Sequence, residues 1–238
     1  MRMVTEPWDE EQERLLRPLH FSLVPGAVWK GSKFERSFVT SLGNVWERAA
    51  IEASRGVCAW MQQSYLYKGE IHSAQLHVIT RILGDLEALR RRPDWDAEIA
   101  EVFAAASGPT EPSQVTVDVA VGDTASQTSG HSYYEIKSPK PNSDQTKVSK
   151  EKMFKLSAME GRACAFFALP FNLWGTRAAY GHSFPKRWFN MASDPVVLIG
   201  AEFWERLGGP GTWDALLEIA VRVGDSYREQ IETYLLDT

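Results

Sequence analysis

The sequence predicts an α/β fold in which a central mixed β-sheet is flanked by helices. Two observations lead to this prediction. Apolar side chains recur at helical spacing over much of the first hundred residues, and the period then changes to that of strands between residues 114 and 137. A capped helix and another apolar strand follow directly. A succession of this kind is typical of helices that pack on a sheet rather than of an all-α or all-β protein.

Three helices are predicted before the first strand. Residues 33–54 carry apolar side chains on one helical face, and residues 70–92 form a second helix that Pro93 closes. A third helix covers residues 96–106 and ends before the Gly-Pro pair at 108–109. The first twenty residues are polar, and we expect them to be peripheral.

The second half of the chain alternates between strands and helices. Residues 114–121 and 132–137 are predicted strands joined by a loop rich in glycine, serine and threonine, and Pro139 and Pro141 stop the second of them. Ser143 or Asp144 can cap the helix that follows, and Gly161 can end it. The elements predicted from there are a helix at 144–160, strands at 163–169 and 195–200, and helices at 201–207 and 212–236.

Composition narrows the functional class. The 238 residues are 44% hydrophobic and 24% charged, which is typical of a soluble globular protein with a substantial core. We find neither a signal peptide nor an apolar stretch of transmembrane length, so we expect a cytoplasmic protein without a membrane partner. Cys58 and Cys164 are too few for a metal knuckle and are expected to be reduced. The sequence has no phosphate-binding loop of the Walker type, which argues against ATP-driven translocation.

The distribution of charge matters more than its total. A net charge of −5 argues mildly against a nucleic-acid partner. However, six lysines between Lys137 and Lys155 stand against only Asp144 and Glu151, which gives this segment a local charge of +4. The basic segment therefore predicts a surface for a polyanion.

The most informative motif is a pair of acidic strands. Asp118 lies within the apolar run Val117-Asp118-Val119-Ala120, and Glu135 and Lys137 share one face of the next strand because side chains alternate along it. Two carboxylates and an ammonium on neighbouring strands are costly unless they hold something. Hard oxygen ligands of this kind suit Mg²⁺. We therefore expect Asp118 and Glu135 to bind Mg²⁺, and Lys137 to orient or deprotonate an attacking water and neutralise phosphate charge.

A further carboxylate can come from the first predicted helix. On a helical wheel Glu35 falls within the apolar arc, Glu52 lies at its edge and Glu47 lies outside it. A carboxylate on a buried face needs a partner, so the periodicity favours Glu35. The sequence around Glu47 resembles the first helix of mismatch-repair-type nucleases, and both glutamates remain candidates.

These motifs resemble those of the PD-(D/E)XK nucleases, and in particular the TdeIII-like type II restriction endonucleases. The segments that carry the resemblance are Lys33–Gly43, Tyr134–Asn142, Asp144–Lys152, Leu169–Gly175 and Gly200–Gly209. The resemblance implies a restriction-endonuclease-like core, Mg²⁺-dependent double-strand cleavage of DNA at a short palindrome, and a homodimer. Asp118, Glu135 and Lys137 carry over directly, although Val117 stands where the family usually has proline.

The resemblance covers the chain from about residue 30 to its C-terminus. We therefore expect a single nuclease domain over residues 1–238. Within it, residues 1–30 would form a peripheral arm, residues 31–200 the catalytic core and residues 201–238 a C-terminal helical part. The resemblance also points to a GC-rich interrupted palindrome, such as GGNCC, as the recognition site.

Polar and basic residues near the acidic strands are candidates for contacts with double-stranded DNA. Lysines would bind phosphates, and asparagine and glutamine could pair with base edges, although a capping role fits Asn142 equally well. The candidates are Lys140, Asn142, Gln145, Lys147, Lys150, Arg177, Lys186 and Arg187.

Two other functions remain open. One is a nuclease of the same fold that acts on DNA structure or modification, such as a nickase, a repair enzyme or a junction resolvase. The other is a DNA-binding module without activity, which the intact set of Asp118, Glu135 and Lys137 opposes. A restriction enzyme needs a cognate DNA methyltransferase for protection, so a neighbouring methyltransferase gene would favour the first function.

Overall fold

A computed structural model of the protein describes residues 9–16, 18–123, 130–162 and 164–236. The chain divides into two units. The larger comprises Trp46–Trp213, and the smaller comprises Met1–Val45 with Asp214–Thr238. The larger unit holds the whole sheet and every candidate site residue except Glu35.

The larger unit is built on one five-stranded sheet. Its strands are β1 (Trp60–His72), β2 (Thr110–Gly122), β3 (His131–Ile136), β4 (Ala165–Leu169) and β5 (Val197–Ile199). They are ordered β1-β2-β3-β4-β5; the first two pairs are antiparallel and the last two parallel. The helices among the described residues are α1 (Glu10–Leu16), α2 (Pro18–Leu23), α3 (Gly26–Ser54), α4 (Ser73–Glu87), α5 (Trp95–Ala104), α6 (Ser143–Glu160), α7 (Ala201–Gly208) and α8 (Thr212–Leu236). The predicted α/β fold with a mixed sheet is confirmed.

Strand β1 was not predicted, and the helix expected at residues 70–92 is wrong at both ends. The strand runs to His72, α4 begins at Ser73, and α4 ends at Glu87 rather than at Arg92. Side chains along β1 alternate between half-buried and exposed from Met61 to Glu70. This period-two signal was available in the sequence, but its many polar residues hid it from a search for apolar runs.

Helix α6 connects the parallel strands β3 and β4 and lies on one face of the sheet. Its start is set by Asn142, whose side chain accepts a hydrogen bond from the backbone N–H of Gln145 at 2.8 Å. Its end is set by Gly161, which adopts a left-handed conformation at φ 70°. Within the larger unit, Phe154 of α6 stacks on Trp95 of α5 with ring centroids 4.9 Å apart. The predicted end at Gly161 is confirmed, whereas the N-cap is Asn142 rather than Ser143 or Asp144, so the helix begins one residue earlier than predicted.

The two faces of the sheet carry different helices. Tyr133 points to the α6 face, where its hydroxyl donates a hydrogen bond to Glu160 at 2.5 Å. Tyr134 points to the opposite face, and its ring lies 5.9 Å from that of Phe203 in α7. On that same face, Trp46 near the end of α3 packs edge-on against Trp204 at 6.2 Å.

Lys150 and Glu98 form an ion pair inside the larger unit. Both side chains are 0% exposed, and Lys150 Nζ lies 2.5 Å from Glu98 Oε2. Lys150 also donates a hydrogen bond to the carbonyl of Trp188. Burial lowers the pKa of Lys150 and raises that of Glu98, and the attraction between the two groups opposes both shifts. The pair ties α6 to α5.

The smaller unit has its own contacts. Glu13 of α1 forms an ion pair with Lys33 of α3, with Nζ and Oε1 2.9 Å apart. The rings of Phe34 and Tyr234 lie 5.9 Å apart, which brings the first part of α3 against α8. In the part of the chain that is described, we find no helix with the length and apolarity needed to cross a membrane.

The buried ion pair predicts an asymmetric effect on stability. Lys150→Met would leave the buried Glu98 with only the more distant Arg91, at 3.9 Å, as a charged partner, so we expect the free energy of unfolding to fall by about 3 kcal/mol. A Glu98→Leu/Lys150→Met double variant should recover most of that loss. Urea denaturation followed by circular dichroism measures both effects.

The matched control is Lys147→Met on the same helix. Lys147 pairs with Glu87 at the surface at 2.7 Å, and a surface pair is worth about 0–1 kcal/mol. Equal losses for Lys147→Met and Lys150→Met would contradict the assigned role of the buried pair.

Candidate active site

The structure brings Asp118, Glu135 and Lys137 together at the end of β3. Lys137 Nζ lies 2.8 Å from Asp118 Oδ2 and 3.1 Å from Glu135 Oε2. Two carboxylate oxygens from neighbouring strands therefore converge on one ammonium nitrogen. The backbone N–H of Lys137 donates to the carbonyl of Ala168 at 3.0 Å, which anchors the residue to β4.

Asp118 lies opposite an unusual residue of β1. The pairs Gln63↔Val119 and Tyr65↔Val117 place Ser64 directly across from Asp118. Ser64 has φ 50°, in the left-handed region that residues other than glycine rarely adopt, least of all within a strand.

The conformation of Ser64 changes the face of the sheet to which the side chains of β1 point, although half-buried and exposed positions keep alternating along the strand. Gln63 donates a hydrogen bond to Glu47 of α3 at 2.8 Å, so it points away from α6. Tyr65, two residues further on, stacks against Tyr133 on the α6 face at 6.1 Å. In a regular strand, residues two apart share a face. The strand therefore changes phase at Ser64.

Opposite Ser64, the backbone pairing between β2 and β3 also ends. The β2–β3 ladder ends at Val119↔Tyr134. Beyond that point the side chain of Asp118 takes over, because its Oδ2 accepts a hydrogen bond from the backbone N–H of Ile136 at 2.7 Å. Asp118 thus binds the end of β3 through its carboxylate and is held close to Lys137.

Glu135 is almost completely buried and has three polar partners. Its side chain is 1% exposed. Oε1 accepts from Lys152 at 2.9 Å, and Oε2 accepts from Ser149 at 3.1 Å and faces Lys137 at the same distance. Ser149 and Lys152 are both on α6. The buried charge of Glu135 is therefore balanced by groups from β3 and from the helix above it.

The site favours a protonated Lys137. Burial alone would lower the pKa of Lys137, but the nearby carboxylates of Glu135 and Asp118 outweigh it and hold the pKa above its usual value. Lys137 therefore acts as a hydrogen-bond donor and a positive charge in this arrangement, not as a proton acceptor.

The residues present fit a hard divalent cation. Among the described residues, no cluster of three or more histidine, cysteine, aspartate or glutamate side chains could hold a metal ion. Mg²⁺ does not require one, because it takes one or two carboxylates and completes its shell with waters and substrate phosphates. Asp118 and Glu135, whose oxygens meet at Lys137, match that donor set.

The two helix glutamates have different surroundings. Glu47 lies in the larger unit, where it accepts the hydrogen bond from Gln63 beside Ser64. Glu35 lies in the smaller unit and is exposed. The wheel argument that placed Glu35 on a buried face is therefore wrong.

Four of the predicted DNA contacts make contacts within the protein. Asn142 and Gln145 form the capping box of α6. Lys150 is fully buried against Glu98, so it cannot meet a phosphate in this conformation. Arg177 donates hydrogen bonds to the carbonyls of Met191 and Asp194 and pairs with Glu202 at 3.2 Å, and it thus holds a loop together.

The other candidates are more accessible. Lys140, Lys186 and Arg187 are exposed. Lys140 lies over the ring of Trp174, 6.0 Å from its centroid. Lys147 is partly exposed and paired with Glu87.

Sequence reasoning missed three residues around the acidic pair: Ser64, Ser149 and Lys152. The spacing of Ser149 and Lys152, three apart on a predicted helix, was a usable signal, because residues three apart share a face. That face could be matched to Glu135 only once α6 was known to lie above β3. The left-handed conformation of Ser64 leaves no trace in residue type.

Comparison with known proteins gives one family. Residues 2–224 match the family described as "Type II restriction endonuclease, HinfI". The type II restriction enzymes HgiCII, HgiEI and HgiBI of Herpetosiphon aurantiacus are 29%, 28% and 27% identical to the chain over 229 residues, which cover 93% of this chain and 82% of each relative. No solved structure matches the chain.

The left-handed conformation of Ser64 predicts that this position favours glycine over a β-branched residue, the reverse of an ordinary strand position. Glycine tolerates a left-handed conformation, whereas a β-branched residue does not, so we expect Ser64→Val to be less stable than Ser64→Gly by about 1–2 kcal/mol. Leu66, exposed on the same strand, is the control: Leu66→Val should be more stable than Leu66→Gly, as in an ordinary strand. Melting temperatures of the four variants test this, and the same order at both positions would contradict it.

Proposed function

Because this chain belongs to the HinfI family of type II restriction endonucleases and thus cleaves DNA at specific sequences, we propose that Asp118, Glu135 and Lys137 form its catalytic centre. The expected membership in the type II restriction endonucleases is confirmed. The family whose model matches is the HinfI family. The proposed centre has the composition of the PD-(D/E)XK nucleases.

The observation that supports this assignment best is the convergence of Asp118 and Glu135 on Lys137 Nζ, at 2.8 and 3.1 Å. A buried carboxylate is costly, and a protein keeps one beside a second, partly exposed carboxylate when they have a task. Lys137 and Asp118 are 19% and 21% exposed, and the exposed Lys140 follows Lys137 by three residues.

Each residue has a defined role in hydrolysis of the phosphodiester bond. Asp118 and Glu135 would hold Mg²⁺, which supplies an activated water and neutralises charge on the phosphate. Lys137, which lies between the two carboxylates, would orient the attacking water or neutralise charge on a phosphate oxygen. Asp118 keeps its orientation through the backbone N–H of Ile136.

Glu47 is the better candidate for an additional acid from a helix. It belongs to the same unit as the catalytic centre and is connected by Gln63 to the part of β1 that faces Asp118. We assign it a supporting role in the orientation of β1 rather than direct contact with a cation. Glu35 belongs to the smaller unit.

The proposed DNA contacts are Lys140, Lys186 and Arg187, which are exposed. Lys147 would have to exchange Glu87 for a phosphate, so its contribution should be smaller. These contacts would position the duplex through its phosphates.

Double-strand cleavage at a palindrome calls for two catalytic centres related by a two-fold axis. One chain supplies one centre, so we propose a homodimer. Leu217 and Val221, one turn apart on α8, are 45% and 64% exposed and offer an apolar stripe for such an interface. The enzyme would act in the cytoplasm, next to a cognate methyltransferase that protects the host DNA.

The first test of the centre is Asp118→Asn. We expect this variant to lose cleavage with Mg²⁺ and to keep the melting temperature of the unaltered protein, because asparagine can still accept from Ile136. Lys137→Ala should lower the cleavage rate by about 10²–10⁴-fold. Sequencing the ends of DNA digested by the unaltered protein would identify the recognition sequence to be used in these assays.

The same variant tests the assembly. Light scattering of Asp118→Asn on its cognate DNA should give two chains per duplex. Cleavage by Asp118→Asn at an unaltered rate would overturn the assigned centre. A complex of one chain per duplex, with only nicks made by the unaltered protein, would favour a nickase.

The DNA surface predicts a change in salt dependence. Lys186→Ala and Arg187→Ala should each reduce the slope of log K against log salt by about one unit, whatever the sequence of the DNA. Lys155→Ala is the control, because Lys155 pairs with Glu151 of its own helix at 2.6 Å. Unchanged slopes for Lys186→Ala and Arg187→Ala would place the DNA elsewhere.

A further inference from the structure

Glu135 is bound by a second lysine from outside the sequence motif. We propose that Lys152 is part of the catalytic centre: it pairs with Glu135, would release that carboxylate to a divalent cation, and would then bind the scissile phosphate. The inference rests on the proposed role of Asp118 and Glu135.

Both oxygens of Glu135 have partners among the neighbouring side chains. Lys152 Nζ lies 2.9 Å from Oε1, and Lys137 Nζ lies 3.1 Å from Oε2, which also accepts from Ser149. A cation that binds Glu135 would therefore enter beside at least one ammonium group. Like charges at such distances repel strongly away from bulk water, so one ammonium has to withdraw.

Lys152 is better placed to withdraw than Lys137. Lys137 is 19% exposed and is held by Asp118 as well as by Glu135. Lys152 is 30% exposed, and Glu135 is the one carboxylate paired with it among the described residues. Its flexible stem of four carbons allows the ammonium to move toward solvent while the helix stays in place.

The charges of the site indicate when this exchange takes place. Asp118 and Glu135 carry two negative charges, and Lys137 and Lys152 carry two positive charges, so the centre is balanced without a metal. A divalent cation on its own would leave an excess of positive charge in a partly buried site. A DNA phosphate, with its single negative charge, reduces that excess, and the cation and the DNA should therefore bind cooperatively.

After it releases Glu135, Lys152 would bind a phosphate of the DNA. Once released, its partly exposed ammonium would be free to bind a phosphate near the centre. Charge develops on this phosphate as the bond breaks, and a positioned ammonium stabilises it. Removal of Lys152 should therefore have opposite effects on metal binding and on cleavage.

The experiment measures both quantities with Lys152→Met. Binding of Mn²⁺ to the protein without DNA, followed by calorimetry and by electron paramagnetic resonance, should become about tenfold tighter because a competing like charge is gone. Cleavage at saturating Mg²⁺ should become about 10²-fold slower. A residue that only supports the fold would weaken both.

Three variants serve as controls. Lys155→Met on the same helix, with Lys155 paired to Glu151, should change neither quantity. Lys152→Arg keeps the charge and should bind Mn²⁺ as weakly as the unaltered protein. Lys152→Gln can still donate to Glu135, so it tests the charge alone even if Lys152→Met folds poorly, and it should match the expectation for Lys152→Met.

The outcomes separate this inference from the proposed function. If Asp118→Asn loses both Mn²⁺ binding and cleavage, the centre stands, and unchanged Mn²⁺ affinity in Lys152→Met and Lys152→Gln overturns the role of Lys152 alone. Tighter Mn²⁺ binding without slower cleavage overturns its role at the phosphate. Normal cleavage by Asp118→Asn overturns the centre itself.

Discussion

The buried charge of Glu135 is the constraint on which the rest of the larger unit depends. A carboxylate that is 1% exposed has to be neutralised from nearby, and it obtains Lys137 from its own strand and Ser149 and Lys152 from α6. Because two of the three partners lie on α6, this helix has to cross the sheet directly above β3. Its start at the Asn142 cap and its contact with α5 serve the same placement.

Positive charge in the sequence is a poor measure of positive surface in this protein. Five of the six lysines between residues 137 and 155 face carboxylates. Lys137 and Lys152 face Glu135, and the others pair with Glu87, Glu98 and Glu151. Lys140 lies over the ring of Trp174. The local charge of +4 predicted a DNA surface in this segment, but most of these lysines are paired with carboxylates of the protein.

The parts of the structure that could be predicted are those with local signals. The strands around Asp118 and Glu135 follow from β-branched runs, and the end of α6 follows from Gly161, although its cap is Asn142 rather than the predicted Ser143 or Asp144. The role of Lys150 could not be predicted in this way, because its partner is 52 residues away on another helix and lysines along one helix look alike in sequence. The same holds for Ser64, whose conformation is imposed by the sheet around Asp118. Strand β1 had a local signal that its polar composition obscured.

The pair of Lys150 and Glu98 also has an evolutionary consequence. Neither residue can be exchanged alone without leaving a charge in the core, whereas an apolar pair of similar volume could replace both. Positions 98 and 150 therefore behave as one heritable unit, and neutral drift at either is blocked until the other changes. Among relatives that keep this arrangement of α5 and α6, these positions should co-vary, with both charges retained or both lost, while surface pairs such as Lys155 and Glu151 diverge independently.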